Sequence, residues 1–246
     1  MDPTTTRAFE FVDDREPTGK VLVCGLSSFG LAGLTAVDYL VDQTTLRQCG
    51  HVRSDAATIT PFEGGRPRHP VRLFDSPDLP TTVLVSELWI PPAASHAFSE
   101  RLLAWSDAVD IDEVAVLQGV PIPHGPEDHR TFHVATDDYR EYRLADPDGP
   151  PGMGTGYLDG VPASLLADGM DSSLRVGVFV TPVHEQAPDI EAALRLIETL
   201  STVYDLDVDT GPLEAFAADV QQYYVDLAAR LEQVPDEELP DDRMYM

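Results

Sequence analysis

The chain has 246 residues, 43% of them hydrophobic and 24% charged, which is apolar material enough for one large core. Acidic residues outnumber basic ones 43 to 16, a net charge of -27, and a field of that sign repels nucleic-acid phosphates and anionic lipid headgroups. Two cysteines, Cys24 and Cys49, are too few for a disulfide scaffold or a cysteine metal site.

Apolar runs such as residues 176–180 are far too short to cross a bilayer of about 30 Å. The opening Met1-Asp2-Pro3-Thr4 lacks the basic and apolar regions of a signal peptide, so a soluble, cytoplasmic protein is expected. Phe9, Phe11 and Val12 suggest an edge strand. Val21-Leu22-Val23-Cys24 ends at Gly25 and reads as a buried strand. Leu34, Val37, Leu40 and Val41 then recur at helical spacing, giving strand, turn and helix over residues 21–41. Residues 46–59 are extended, 63–67 form a turn at Gly64-Gly65, and 71–74 and 82–85 are two further strands. Pro91-Pro92 leads into a helix over 93–109 with Leu102 and Trp105 on its apolar face. Residues 113–117 form another buried strand, and 131–136 and 141–144 alternate as strands do. The segment 146–160, rich in Pro, Gly and Asp, is a loop. Beyond it follow a short helix over 161–168, a strand over 174–180 and helices over 189–204 and 213–231. Short buried strands alternating with amphipathic helices predict a three-layer α/β/α domain with a mostly parallel central sheet. No repeat or linker divides it, so residues 1–232 are expected as one domain and 233–246 as a flexible acidic tail.

Lysine occurs once, at Lys20, against fifteen arginines, and the carboxylates are spread along the whole chain. A cytoplasm of molar salt accounts for both the acidity and the missing lysines, because a Debye length of about 3 Å screens carboxylate repulsion. A GC-rich genome favours arginine over lysine but leaves the acidity unexplained. The expected result is a melting temperature that falls as salt drops from molar toward about 0.1 M, where the Debye length reaches about 10 Å. A melting temperature flat across that range removes the halophile argument.

Candidate chemistry is sparse. Gly25, Gly30 and Gly33 have neither the dinucleotide nor the P-loop spacing, and close βα packing explains them better than an anion site. Ser27 and Ser28 sit where a nucleophile elbow would carry its serine. Phe29 occupies the place that needs a small residue, so helix capping is the better reading. His124, His129 and His133 lie close in sequence, but Pro123, Gly125 and Pro126 make their segment a loop without the fixed spacing a metal needs. Asp38 and Glu87 have no visible partner. No catalytic residue, cofactor site or metal site is therefore assigned. The sequence closes on Met244-Tyr245-Met246, presented at the end of the acidic arm.

Taken together, these pieces resemble the archaeal proteasome assembly chaperone family over roughly residues 20–220, in a haloarchaeal type of member. The resemblance lies in Val21 to Leu26, Phe29-Gly30-Leu31-Ala32-Gly33 and Asp38-Tyr39-Leu40, then in Val114 to Gly119. It is strongest at Gly152-Met153-Gly154-Thr155-Gly156-Tyr157-Leu158-Asp159-Gly160-Val161-Pro162, Ala187 to Ala193 and Leu206-Asp207-Val208-Asp209. Two departures stand out: Gln118-Gly119 where the family often has paired glycines, and the strongly acidic surface. The resemblance implies a fold similar to nucleoside phosphorylases, a homo-oligomer and binding to α subunits of the proteasome core particle. It further implies that Met244, Tyr245 and Met246, which match a hydrophobic–Tyr–any-residue motif, dock into pockets between those subunits. The rival is an enzyme of hydrolase or ligase type, or a small-molecule sensor using the loop at Gly152 to Gly160.

Overall fold

The computed structural model describes residues 9–55, 59–123, 125, 128–184 and 188–232. Its frame is an eight-stranded sheet of order β1-β3-β6-β7-β2-β8-β10-β9. The four inner strands β7 (Thr81–Ser86), β2 (Val21–Leu26), β8 (Glu113–Val120) and β10 (Arg175–Pro182) are mutually parallel. This is the parallel core expected from the continuous apolar runs, since strands covered on both faces need no polar alternation. The flanks are antiparallel: β6 (Val71–Asp75), β3 (Arg47–Ser54) and β1 (Phe9–Asp13) on one side, β9 (Phe132–Ala135) on the other. A two-stranded hairpin, β4 (Phe62–Glu63) and β5 (Arg66–Pro67), turns at Gly64-Gly65, both at positive φ.

Helices cover both faces. Leu22, Cys24, Val114, Val116, Val176 and Val178 point to one face, where they pack with Phe98, Leu102 and Trp105 of α2 (Pro92–Ala108) and Val161 and Leu165 of α4 (Gly160–Met170). Trp105 also donates its indole N–H to Asp13 at 2.9 Å and stacks on Phe11, fastening α2 to the edge strand β1. The opposite face carries α1 (Ala32–Gln43), α3 (Asp137–Arg143) and α5 (Ile190–Tyr204). Both cysteines are buried free thiols; burial pushes Cys24 up strongly and Cys49 up to about 12, so neither is a nucleophile. Residues up to Asp209 form one compact unit, and α6 (Gly211–Glu232) belongs to a second.

One expected strand is a helix. Residues 141–143 lie in α3 and Leu144 is its C-cap, not a strand, and the reason is visible in the helix's charges and contacts. Asp137 and Asp138 fill its first turn and Arg140 and Arg143 its last, complementing the helix dipole. The i, i+4 pair Tyr139 and Arg143 is thereby set on one face, and both reach the same buried network: Arg143 binds Glu113, while the Tyr139 hydroxyl lies 2.7 Å from that of Tyr204.

Candidate functional site: a cleft at the carboxyl ends of the parallel strands

Strand order reverses around β2. The chain leaves β2 through α1 toward β3, β6 and β7 on one side, and returns through α2 to β8 on the other. In parallel sheets such a switch leaves a crevice at the carboxyl ends of the strands. Here it is a cleft of about 570 Å³, within the range of small-ligand sites. Its walls are the turn after β2 (Leu26 to Leu31), Trp89 and Ile90 after β7, Gln118 of β8 and the first residues of α4. Phe29 and Trp89 are 49% and 62% exposed at its rim.

The β2–α1 turn is tightly built. Gly30 has φ of 64°, and Leu31, at φ 50°, is a left-handed residue that is not glycine. A Cβ on Gly25 would lie 2.1 Å from Val37, and one on Gly33 would lie 2.2 Å from the carbonyl oxygen of Leu117. Gly25 thus serves close packing of α1 on β2 and Gly33 that of α1 on β8, the tight strand–helix connection the sequence suggested. Gly33→Ala sets a helix-propensity gain of about 1 kcal/mol against a backbone clash that cannot rotate away. The expected result is a net loss of about 2 kcal/mol in chemical denaturation, and a gain in stability would refute the packing argument.

The expectation that Ser27 and Ser28 cap a helix is corrected. Ser28 stands at the N-cap of a short 3-10 turn (Phe29–Leu31), but its hydroxyl makes no cap bond and is buried without a partner among the described residues. The turn is held by backbone instead: Ser27 N–H donates to Ser86 O at 2.9 Å and Leu31 N–H to Ser28 O at 3.0 Å. Asp38 and Glu87 are likewise not isolated. Arg72 from β6 reaches Glu87 at 2.9 Å and Asp38 at 3.6 Å, and Arg68 reaches Glu87 at 2.7 Å. His133 lies in β9, with Nδ1 2.7 Å from the carbonyl oxygen of Pro150. The ring of His129 stands 6.3 Å from that of His184, and His124 is outside the described residues. No three ligating side chains converge on a metal-sized site among the described residues. Met244, Tyr245 and Met246 also lie outside the described residues.

Sequence reasoning missed Asp189, the N-cap of α5. Its carboxylate accepts from Ala192 N–H at 2.9 Å, and from the backbone N–H and ring Nδ1 of His184 at 3.0 Å each. Its own N–H donates to Gly30 O at 2.8 Å, tying α5 to the β2–α1 turn. Burial alone would raise its pKa, but the hydrogen bonds from His184 and Ala192 outweigh it and hold the carboxyl below its ordinary value. A depressed carboxyl stabilises the fold above the unfolded value near 3.9 and loses that contribution as pH falls through the folded value. Asp189→Asn, which keeps a capping oxygen but loses the charge, is therefore expected to cost about 1 kcal/mol at neutral pH and nothing once the carboxyl is protonated in both the folded and the unfolded state. Equal deficits in urea melts at neutral and strongly acid pH would contradict this. The signal was present in Pro188-Asp189-Ile190, an N-cap residue before an apolar periodic run.

Chemically the cleft offers apolar surface, aromatic rims and a few hydroxyl and amide groups. Among its described lining residues Asp159 is the one acidic or basic side chain. No described helix is long and apolar enough to cross a membrane.

Comparison with solved structures places the fold beside several others. The chain superposes on Pyrococcus furiosus PbaA, an archaeal homolog of proteasome-assembly chaperone, with TM-score 0.81 and 18% identity over 92% of this chain and 93% of that one. Pyrococcus furiosus PbaB, an archaeal proteasome activator, gives TM-score 0.75 and 15% identity over 91% and 100%. A PAC2 family protein from Streptomyces avermitilis gives 0.61 and 19% over 84% and 94%. No curated protein matches the chain at a significant level. The model of the PAC2 family matches residues 22–228, from the first parallel strand β2 into α6, and the chain belongs to the PAC2 family.

Proposed function

We propose that this protein is a non-enzymatic, proteasome-related chaperone or proteasome-binding factor. The family match over residues 22–228 carries the reading, and the similarity to a proteasome-assembly chaperone homolog and a proteasome activator supports it. In finer terms, a cytoplasmic homo-oligomer presents Met244-Tyr245-Met246 to pockets between α subunits of the core particle. The support for that step is the hydrophobic–Tyr–any-residue pattern of the trio, which lies outside the segment the family model matches. The net charge of -27 argues against nucleic acid as the partner. The test is capture of the full chain from native lysate at high salt, read by mass spectrometry. Proteasome α subunits are expected in the eluate, and their absence at every salt concentration would reject the reading.

The cleft favours a second reading, a small-molecule sensor, because about 570 Å³ of largely apolar space opens at the strand switch point. A thermal-shift screen of metabolites that raises the melting temperature of the wild type but not of Trp89→Ala would support it.

A further inference from the structure

At the opposite end of the sheet, a second cleft of about 760 Å³ opens between the carboxyl ends of α2 and α4. It is lined by Glu100, Asp107, Asp110, Asp112, Asp168 and Asp171. Neither helix has a basic residue in its last turn, so two negative helix ends add to six carboxylates. Three of the six have partners: Glu100 lies 3.9 Å from His96, Asp110 3.5 Å from Lys20 and Asp112 3.7 Å from Arg175. Asp107, Asp168 and Asp171 have no basic partner among the described residues.

Two buried oxygens in this cleft also lack a partner. Ser106, 1% exposed, lines it with a hydroxyl that makes no hydrogen bond among the described residues. Oδ2 of Asp168 is buried and equally unpartnered. A buried hydroxyl left so is destabilising, and a carboxylate oxygen more so. Both oxygens accept hydrogen bonds, the Ser106 hydroxyl also has a proton to give to a neighbouring carboxylate, and the six acidic side chains around them favour a donor carrying positive charge. No three ligating side chains converge tightly enough for a metal ion among the described residues. The carboxylates are instead spread over a cleft of small-ligand size. A primary ammonium brings three donors and no acceptor, matching Ser106 Oγ and Asp168 Oδ2, and a chain of such groups spans the remaining carboxylates.

We propose that this cleft is a binding site for linear alkylammonium ligands, with a polyamine as the ligand class. Calorimetric titration of the full chain with spermidine between about 0.1 and 1 M KCl tests it, since a Debye length shrinking from about 10 to 3 Å separates a site from diffuse attraction. The expected result is saturation at one spermidine per chain, weakened at least about tenfold in Asp168→Asn/Asp171→Asn. The charge-matched control Asp137→Asn/Asp207→Asn, altered at exposed residues away from the cleft, should bind as wild type does. Ser106→Ala should weaken binding without lowering the melting temperature, which keeps the test valid if the double variant fails to fold. A lysine tetrapeptide forms the second arm, and tighter binding of the peptide at the same stoichiometry assigns the ammonium groups to a partner's lysines. Absence of saturation for both probes, or equal weakening in the control, overturns the site in favour of bulk charge.

Discussion

Replacing Glu113 with alanine is expected to cost about 3 kcal/mol, a large loss for a single polar side chain. Glu113 opens β8, and its side chain is 1% exposed. Arg143 Nε donates to both of its oxygens, at 2.9 and 3.0 Å. The Tyr204 hydroxyl donates to Oε1 at 2.8 Å, and Arg175 from the neighbouring strand lies 3.5 Å from Oε2. Because Tyr204 spends its one proton on Glu113, the Tyr139 hydroxyl, 2.7 Å away, must donate to Tyr204. Burial pushes both phenols well above their ordinary range, so they remain donors at any working pH. One carboxylate thus joins α3, α5, β8 and β10. Removing it strands two phenols in the core and two guanidinium groups at its border. The measured cost of breaking a buried pair is about 3–5 kcal/mol, and the lower end applies because the arginine side chains remain 26% and 25% exposed to water. In urea this should move the midpoint down by about 1 M or more. The double variant Glu113→Ala/Arg143→Ala should lose less than the sum of the two single variants, because the second change removes a charge the first left unpaired. Additive losses, or a single-variant loss below about 1 kcal/mol, would mean the network contributes little.

The same network shows why part of this structure was legible in the sequence and part was not. Val21 to Leu26 and Val114 to Leu117 declare themselves because a strand buried on both faces is a continuous apolar run. The helix α5 declares itself through Ile190, Leu194, Ile197 and Leu200 at helical spacing, of which Ile197 and Leu200 are buried while Ile190 and Leu194 are half-buried and Leu196 fills the core instead. The seven residues of α3 carry no such signal. Tyr139 and Arg143 are fixed by Tyr204 and Glu113, 65 and 30 positions away, and by the bare face of Gly177, where a Cβ would lie 2.4 Å from the Tyr139 ring. The strand–turn–helix at Gly25 to Gly33 was readable as a tight connection. That it forms one wall of a cleft was not, because the other walls come from Trp89, Gln118 and α4, brought there by the crossovers between strands. The partners of Asp38 and Glu87 escaped for the same reason. Arg72 enters from β6, and only the sheet order places it beside both.

Deleting Met244-Tyr245-Met246 is expected to abolish capture of proteasome α subunits while leaving the melting temperature unchanged. The three residues lie outside the segment 22–228 that the family model matches and beyond α6, which ends at Glu232. The preceding segment, with Pro235, Pro240 and five carboxylates from Asp236 to Asp242, has the composition of a chain too polar to build a core of its own. On the proposed docking, Tyr245 is the side chain expected to contribute most. A tyrosine ring buries about 150–250 Å² and keeps its hydroxyl for a hydrogen bond, and anchors of this type contribute about 2 kcal/mol or more at interfaces. Met244 adds adaptable apolar contact beside it. One such tail binds weakly, because ordering the arm opposes what three residues gain. In the proposed homo-oligomer, several tails raise the strength by about 10²-fold or more when their spacing matches the pockets. Losses multiply in the same way, so Tyr245→Ala in every subunit should lower capture nearly as far as the deletion, whereas Tyr245→Phe should retain most of it. Mixed oligomers of wild-type and truncated chains should lose affinity steeply with the truncated fraction. A truncated protein that captures α subunits as tightly as the full chain would place the contact on the folded unit, and the exposed Phe29 and Trp89 at the cleft rim would be the first residues to mutate.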